Sequence, residues 1–96
     1  MTNKLSLPVF LSTLLTLILF TETKAADPGF CRQYARAALI QARGGLSNPS
    51  CGGGLQGTRW STDFAVHYEW CLGASFEAAT SERDARTNYL RGCSGR

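Results

Sequence analysis

The 96-residue chain carries 10 Lys and Arg against 7 Asp and Glu, a formal net charge of +3, with four Cys and a single His. Ninety-six residues make one domain at most, which excludes multidomain enzymes, nucleotide-binding folds and any large ligand cavity. The charge bias is weak and holds no block of like sign, so nucleic acid is not an expected partner.

Residues 1–25 have the three-part order of a signal peptide. Lys4 supplies the early positive charge, a mostly apolar run extends from Leu5 to Phe20, and a polar stretch, Thr21–Lys24, leads to the small pair Ala25-Ala26. Cleavage is expected after Ala25. The apolar run contains Pro8 and falls short of the ~20 residues that cross a bilayer, so no membrane association is expected once it is removed. No Cys lies near the cleavage point to take a lipid, and the short Leu-rich presequence points to a bacterial periplasm or the medium. Residues 26–96 then form one disulfide-stapled domain of 71 residues with net charge +2 and no Lys. Once 10 Ala and 4 Cys are set aside, only 15 larger apolar side chains remain for its core. A core that small needs covalent support.

The predicted fold class is all-α, a small three-helix domain. Residues 30–43 form the first helix, because Tyr34, Ala35, Ala38, Leu39 and Ala42 recur at three- and four-residue steps. Asp27-Pro28 is its start signal and Gly44-Gly45 its stop. Residues 44–59, with six Gly and one Pro, read as a loop, and one this long is expected to be tied down, here through Cys51. The run Cys51-Gly52-Gly53-Gly54 lacks the Lys-Ser/Thr of a phosphate loop, so its expected role is a sharp turn beside a disulfide. Residues 61–72 form the second helix, with Ser61 as N-cap and Asp63 in the first turn. Trp60, Phe64, His67 and Cys71 then make one stripe, flanked by Asp63 and Trp70. The third helix is placed at about 77–92, started by Ser75 or by Ser81 with Asp84 as a capping box. Its inner row is Ala78, Glu82, Ala85, Tyr89 and Cys93, with Leu90 beside it, and Glu82 and Arg86 form an i,i+4 pair.

Cys31, Cys51, Cys71 and Cys93 are an even set in a small exported chain, which reads as two disulfides. There is no C-x-x-C spacing for zinc, and neither a metal nor another cofactor is expected. Three pairings are open to four Cys. Alternating helix directions choose among them: the second helix returns Cys71 to the end where Cys31 opens the first, and the third carries Cys93 to the Cys51 loop. The predicted pairs are Cys31–Cys71 and Cys51–Cys93.

The candidates for chemistry surround the one histidine. Asp63 precedes His67 by four residues, so a carboxylate–imidazole contact is expected, and the two are the catalytic candidates, as a general base on water. Trp60, Asp63, His67 and Trp70 are the ligand-binding candidates, because indole faces with adjacent polar groups suit stacking on sugar rings. The competing structural reading is that the whole stripe is core.

The pattern C-x-x-Y-A (Cys31, Tyr34, Ala35), C-G (Cys51, Gly52), W-x-x-D-x-x-x-H-x-x-W-C (Trp60, Asp63, His67, Trp70, Cys71) and L-x-x-C (Leu90, Cys93) resembles a cysteine module of small exported bacterial proteins of unassigned function. The resemblance implies export, disulfides and a self-contained module, and no substrate. The expected function is a binding or interaction module of the bacterial cell envelope whose partner is a protein or an envelope glycan. The alternatives are a small hydrolase using His67 and Asp63, and a periplasmic inhibitor or immunity-type protein presenting Leu46 or Leu55 on a protruding 44–59 loop.

Overall fold

The computed structural model describes residues 24–95; the expected export segment lies outside the described residues apart from Lys24 and Ala25. Helix α1 spans Pro28–Leu46. The Asp27 carboxylate caps it by accepting from the Phe30 amide at 2.8 Å, and Pro28 occupies a first-turn position where its missing N–H costs nothing. The helix does not stop at Gly44-Gly45 as expected; it runs through the pair to Leu46. Packing accounts for this, because a Cβ on Gly45 would lie 2.6 Å from Leu55 Cδ1 and 2.7 Å from Leu90 Cδ2. The glycine is there to let two leucines approach, and it serves no turn.

A short helix, α2, Pro49–Gly52, interrupts the expected loop, capped by Asn48, whose side chain accepts from the Ser50 amide at 2.8 Å. The chain then passes Gly57, whose φ of +87° is the left-handed region that favours glycine, and makes a 3₁₀ turn over Thr58–Trp60. Helix α3, Phe64–Leu72, starts later than expected. Its N-cap is Asp63, not Ser61; the Asp63 carboxylate accepts from the Ala65 amide at 3.0 Å, while Ser61 Oγ accepts from the Asp63 amide at 3.0 Å. Helix α4, Phe76–Ser94, is capped by Ser75, whose hydroxyl accepts from the Ala78 amide at 3.0 Å. Among the described residues there is no strand beyond one isolated bridge between Ala25 and Ser75.

Both disulfides join the predicted pairs, Cys31–Cys71 with 5.5 Å between Cα atoms and Cys51–Cys93 with 5.2 Å. Each is the centre of an apolar cluster. One gathers Ala26, Cys31, Tyr34, Cys71 and Ala79, with Phe30, Tyr68 and Leu72 against it. The other gathers Ala42, Cys51, Leu55, Trp60 and Cys93, with Leu90 against it. Along α4, Ala79 belongs to the first and Cys93 to the second, and Arg86 stands seven residues from each. Two helical turns, about 10 Å at 1.5 Å per residue, therefore separate its backbone from that of Ala79 on one side and of Cys93 on the other.

The inner side of α4 keeps Cys93 from the expected row and is shifted by one position before it. Ala78 and Tyr89 are exposed, and the buried positions are Ala79, Arg86 and Cys93. The displacement puts a fully buried arginine where an alanine was expected. Among the described residues, no helix is long and apolar enough to cross a membrane.

Candidate functional site

Arg86 organises the middle of the molecule. Its side chain has no solvent exposure, and a guanidinium taken out of water needs partners. Nε donates to Gln41 Oε1 at 2.7 Å, Nη1 lies 3.6 Å from Glu82 Oε2, and the guanidinium carbon sits 5.0 Å above the Tyr34 ring. Gln41 is in turn fixed on α4, its amide donating to Thr87 Oγ1 at 2.8 Å and to the Arg83 carbonyl at 3.2 Å. Tyr34, Gln41, Glu82 and Arg86 thus form a polar layer between the two disulfide-centred ends.

Glu82 is the second hub. Arg59, from the 3₁₀ turn, grips it with both nitrogens of a fork, Nε to Oε2 at 2.6 Å and Nη2 to Oε1 at 3.1 Å. That bond holds the Arg59 guanidinium more firmly protonated than usual. The expected Glu82–Arg86 pair is present, but it is the longer of the two contacts Glu82 makes. Both Glu82 oxygens are engaged by Arg59, and Arg86 Nη2 is left buried with no hydrogen-bond partner.

Beside this layer opens a cleft of about 150 Å³ lined by Tyr34, Thr58, Arg59, Val66, His67, Trp70, Glu82 and Arg86. Trp70 is 45% exposed, and its indole lies 5.6 Å from the Tyr34 ring, tilted by 31°. Tyr34 meets the His67 ring edge-on at 6.5 Å. Burial pushes the Tyr34 phenol above its ordinary range, against the pull of the Arg86 cation.

His67 is 3% exposed, and its Nε2 contacts the Ser61 carbonyl oxygen at 2.7 Å. A carbonyl only accepts, so Nε2 carries the proton and donates; in the neutral ring this leaves Nδ1 as the acceptor. The contact expected between His67 and Asp63 is not formed: no hydrogen bond or ion pair joins the two side chains, and the Asp63 carboxylate caps α3 instead. The i,i+4 argument fails because Asp63 precedes the first helical turn.

The structure therefore divides the sequence-derived candidates. His67 and Trp70 share the cleft. Asp63 is a cap, and Trp60, 7% exposed, packs in the Cys51–Cys93 cluster with its ring 5.6 Å from that of Tyr89. Sequence reasoning missed Tyr34, Arg59 and Arg86 as site residues. The i,i+4 spacing of Glu82 and Arg86 is the signal the sequence offers, and it names the pair without showing that Arg86 is buried. Within the 44–59 segment Leu55 is buried and Leu46 is 44% exposed. Among the described residues no group of three His, Cys, Asp or Glu is assembled to hold a metal ion.

Compared with protein-family models, curated proteins and solved structures, the chain has no significant match in any of the three.

Proposed function

We propose that this protein is a small exported binding module of the bacterial cell envelope, of the cysteine-module kind its motif resembles, and that the Trp70 cleft is where it binds. One observation carries the reading: an indole left half-exposed at a cleft whose other walls are aromatic, imidazole and charged side chains. Full burial of a large apolar side chain is worth roughly 1.5–3 kcal/mol. A domain with 15 such side chains forgoes part of that at Trp70, next to polar groups converging from α1, the 3₁₀ turn, α3 and α4. An exposed ring beside hydrogen-bonding groups suits a sugar ring or a peptide side chain. The partner is accordingly an envelope glycan or a protein segment.

Export is supported by the two disulfides, which persist in oxidising compartments, and places the mature chain in the periplasm or the medium. The hydrolase alternative needs Asp63 and His67 to act as a pair, and no hydrogen bond or ion pair joins them. Binding is therefore the reading we hold.

The test is an amide NMR screen of the oxidised mature chain against soluble peptidoglycan fragments and short peptides. Perturbed resonances are expected at the Trp70 indole and over residues 58–60 and 66–70, and Trp70→Ala is expected to abolish them. Perturbations centred instead on another surface, such as the exposed Ile40 side of α1, would refute the assignment of the cleft. N-terminal sequencing of the protein from its native compartment is expected to begin at Ala26; a reduced cytoplasmic chain retaining residues 1–25 would refute export.

A further inference from the structure

Resting on the reading of the cleft as the binding site, we infer that the group it seats is a carboxylate carried on a small apolar or aromatic body. The inference comes from an incomplete set of contacts. An arginine presents five N–H donors. On Arg86, Nε–H is taken by Gln41 and Nη1 faces Glu82 at 3.6 Å, while Nη2 is buried with no partner. A buried donor left unpaired has given up its hydration with nothing in return, at a greater cost when it is charged. The acceptors beside it do not fill the gap: Glu82 gives both oxygens to Arg59, and the Tyr34 phenol, which interacts with the Arg86 side chain, does not meet Nη2 at hydrogen-bond distance. Arg86 itself lines the cleft. The missing acceptor is one that enters from outside.

Charge and size narrow its chemistry. The charged side chains lining the cleft are Arg59, Glu82 and Arg86, which leaves one surplus positive charge. A monoanion balances it; a phosphate dianion brings a second negative charge against Glu82. Hydrogen bonds between ionised groups are roughly twice as strong as neutral ones, and a carboxylate matches a guanidinium in plane and charge. The cleft of about 150 Å³ equals about five water volumes at ~30 Å³ each, room for a carboxylate and a few carbons. The remaining body lies against the half-exposed Trp70 and the Tyr34 ring beside it. Such a carboxylate arrives either on a free organic acid or at the C-terminus of a peptide.

The experiment titrates the oxidised mature chain with four probes, following the Trp70 indole and Arg86 Nε resonances: phenylacetate, phenylacetamide, the tripeptide Ala-Ala-Phe with a free C-terminus, and the same tripeptide amidated. At least one acid is expected to shift both resonances saturably and to bind at least tenfold more tightly than its own amide. Which acid does so identifies the source. An amide that binds as tightly as its acid overturns the carboxylate and leaves the cleft standing as the site. If no probe shifts the cleft resonances, or the shifts lie elsewhere, the carboxylate and the site both fall. Arg86→Met is expected to remove the tenfold preference for acid over amide. Should it fail to fold, Arg59→Ala serves in its place. Arg59 is half-exposed in its side chain, and its loss frees Glu82 to turn wholly to Arg86, cancelling the surplus charge. Carboxylate affinity is then expected to fall at least tenfold relative to amide affinity, and an unchanged preference for acid over amide in that variant overturns the inference.

Discussion

The two ends of the molecule use one device in different settings. At one end the Cys31–Cys71 bond joins α1 to α3, two helices that pack against each other through Tyr34, Phe30, Tyr68 and Leu72. At the other end Cys51 sits on a four-residue helix inside a glycine-rich segment and is joined to Cys93 near the end of α4. Its apolar companions Leu55 and Trp60 come from the irregular chain that follows. The first bond reinforces packing that two regular helices already make. The second ties down a segment with little regular structure, whose far part is also held to α4 by the Arg59–Glu82 pair.

Removing each bond is the strongest way to break that comparison. The bonds span sequence separations of 40 and 42, and in the chain-entropy model each contributes about 4 kcal/mol. The double variants Cys31→Ala/Cys71→Ala and Cys51→Ala/Cys93→Ala are both expected to lose stability of that order in denaturant melts. Hydrogen exchange is expected to separate them. Without Cys51–Cys93, the Leu55 and Trp60 amides, which donate to Gly52 and Gly57 carbonyls at 3.3 and 3.1 Å, should exchange by local opening while α1 and α3 stay protected. Without Cys31–Cys71 the loss should be spread through the domain. The same exchange pattern in both variants would end the distinction.

A gentler perturbation works at the Cys51–Cys93 end alone. Gly44 and Gly45 are neighbours in α1, and a Cβ on Gly44 would meet nothing within 4 Å. Gly44→Ala should gain about 0.5–1 kcal/mol from lower backbone entropy in the unfolded chain. Gly45→Ala should lose about 1–3 kcal/mol, as the methyl group forces Leu55 and Leu90 aside. Opposite signs from adjacent identical substitutions are the expected result in thermal or denaturant melts; equal signs would show that Leu55 and Leu90 give way freely.

These glycines also show where the sequence was legible and where it was not. Helix directions and the order of the cysteines sufficed for the three long helices and both disulfide pairs, since alternating helices leave only one pairing with both partners at the same end. Local signals failed wherever a neighbour distant in sequence decided the outcome. Gly44-Gly45 has the form of a helix stop, yet Leu55 and Leu90 determine what Gly45 is for. The expected inner row of α4, Ala78, Glu82, Ala85, Tyr89 and Cys93, leaves out Arg86, a residue type that belongs on surfaces by default. Only the tertiary arrangement, which sets Gln41, Glu82 and the Tyr34 ring around Arg86, shows that a cation is held inside. The site is legible only in part for the same reason: His67 and Trp70 stand out in the sequence as an unusual cluster, whereas Tyr34 reads as helix core, Arg59 as loop and Arg86 as half of an ion pair.

At the start of α3, Asp63 distinguishes a cap from a catalytic carboxylate. Its side chain accepts from the Ala65 amide and so starts the helix that carries Cys71. Asp63→Ala is expected to cost about 1 kcal/mol and Asp63→Asn only a few tenths, because an amide oxygen caps nearly as well. If asparagine proves as damaging as alanine, the charge itself has a role, and pairing with His67 would have to be reconsidered.

The smallest effect lies where the first end meets the polar layer. Tyr34 is buried beside Arg86; burial raises its pKa and the cation opposes the rise, with the net shift upward from 10.0. In the unfolded chain the phenol ionises near its ordinary value of about 10, so the folded state favours the neutral form. The stability this contributes is fully present below about pH 10 and is lost as pH rises through the higher folded value, because the unfolded chain gives up the proton first. Tyr34→Phe removes the group that titrates while keeping the ring beneath Arg86. Its stability should therefore fall less steeply than that of the unaltered chain above about pH 10, and the late step in the phenolate absorbance titration should disappear. An identical alkaline decline in both proteins would mean that the phenol is not held neutral by its burial, and the polar layer would then be open to water on the side where Tyr34 closes it.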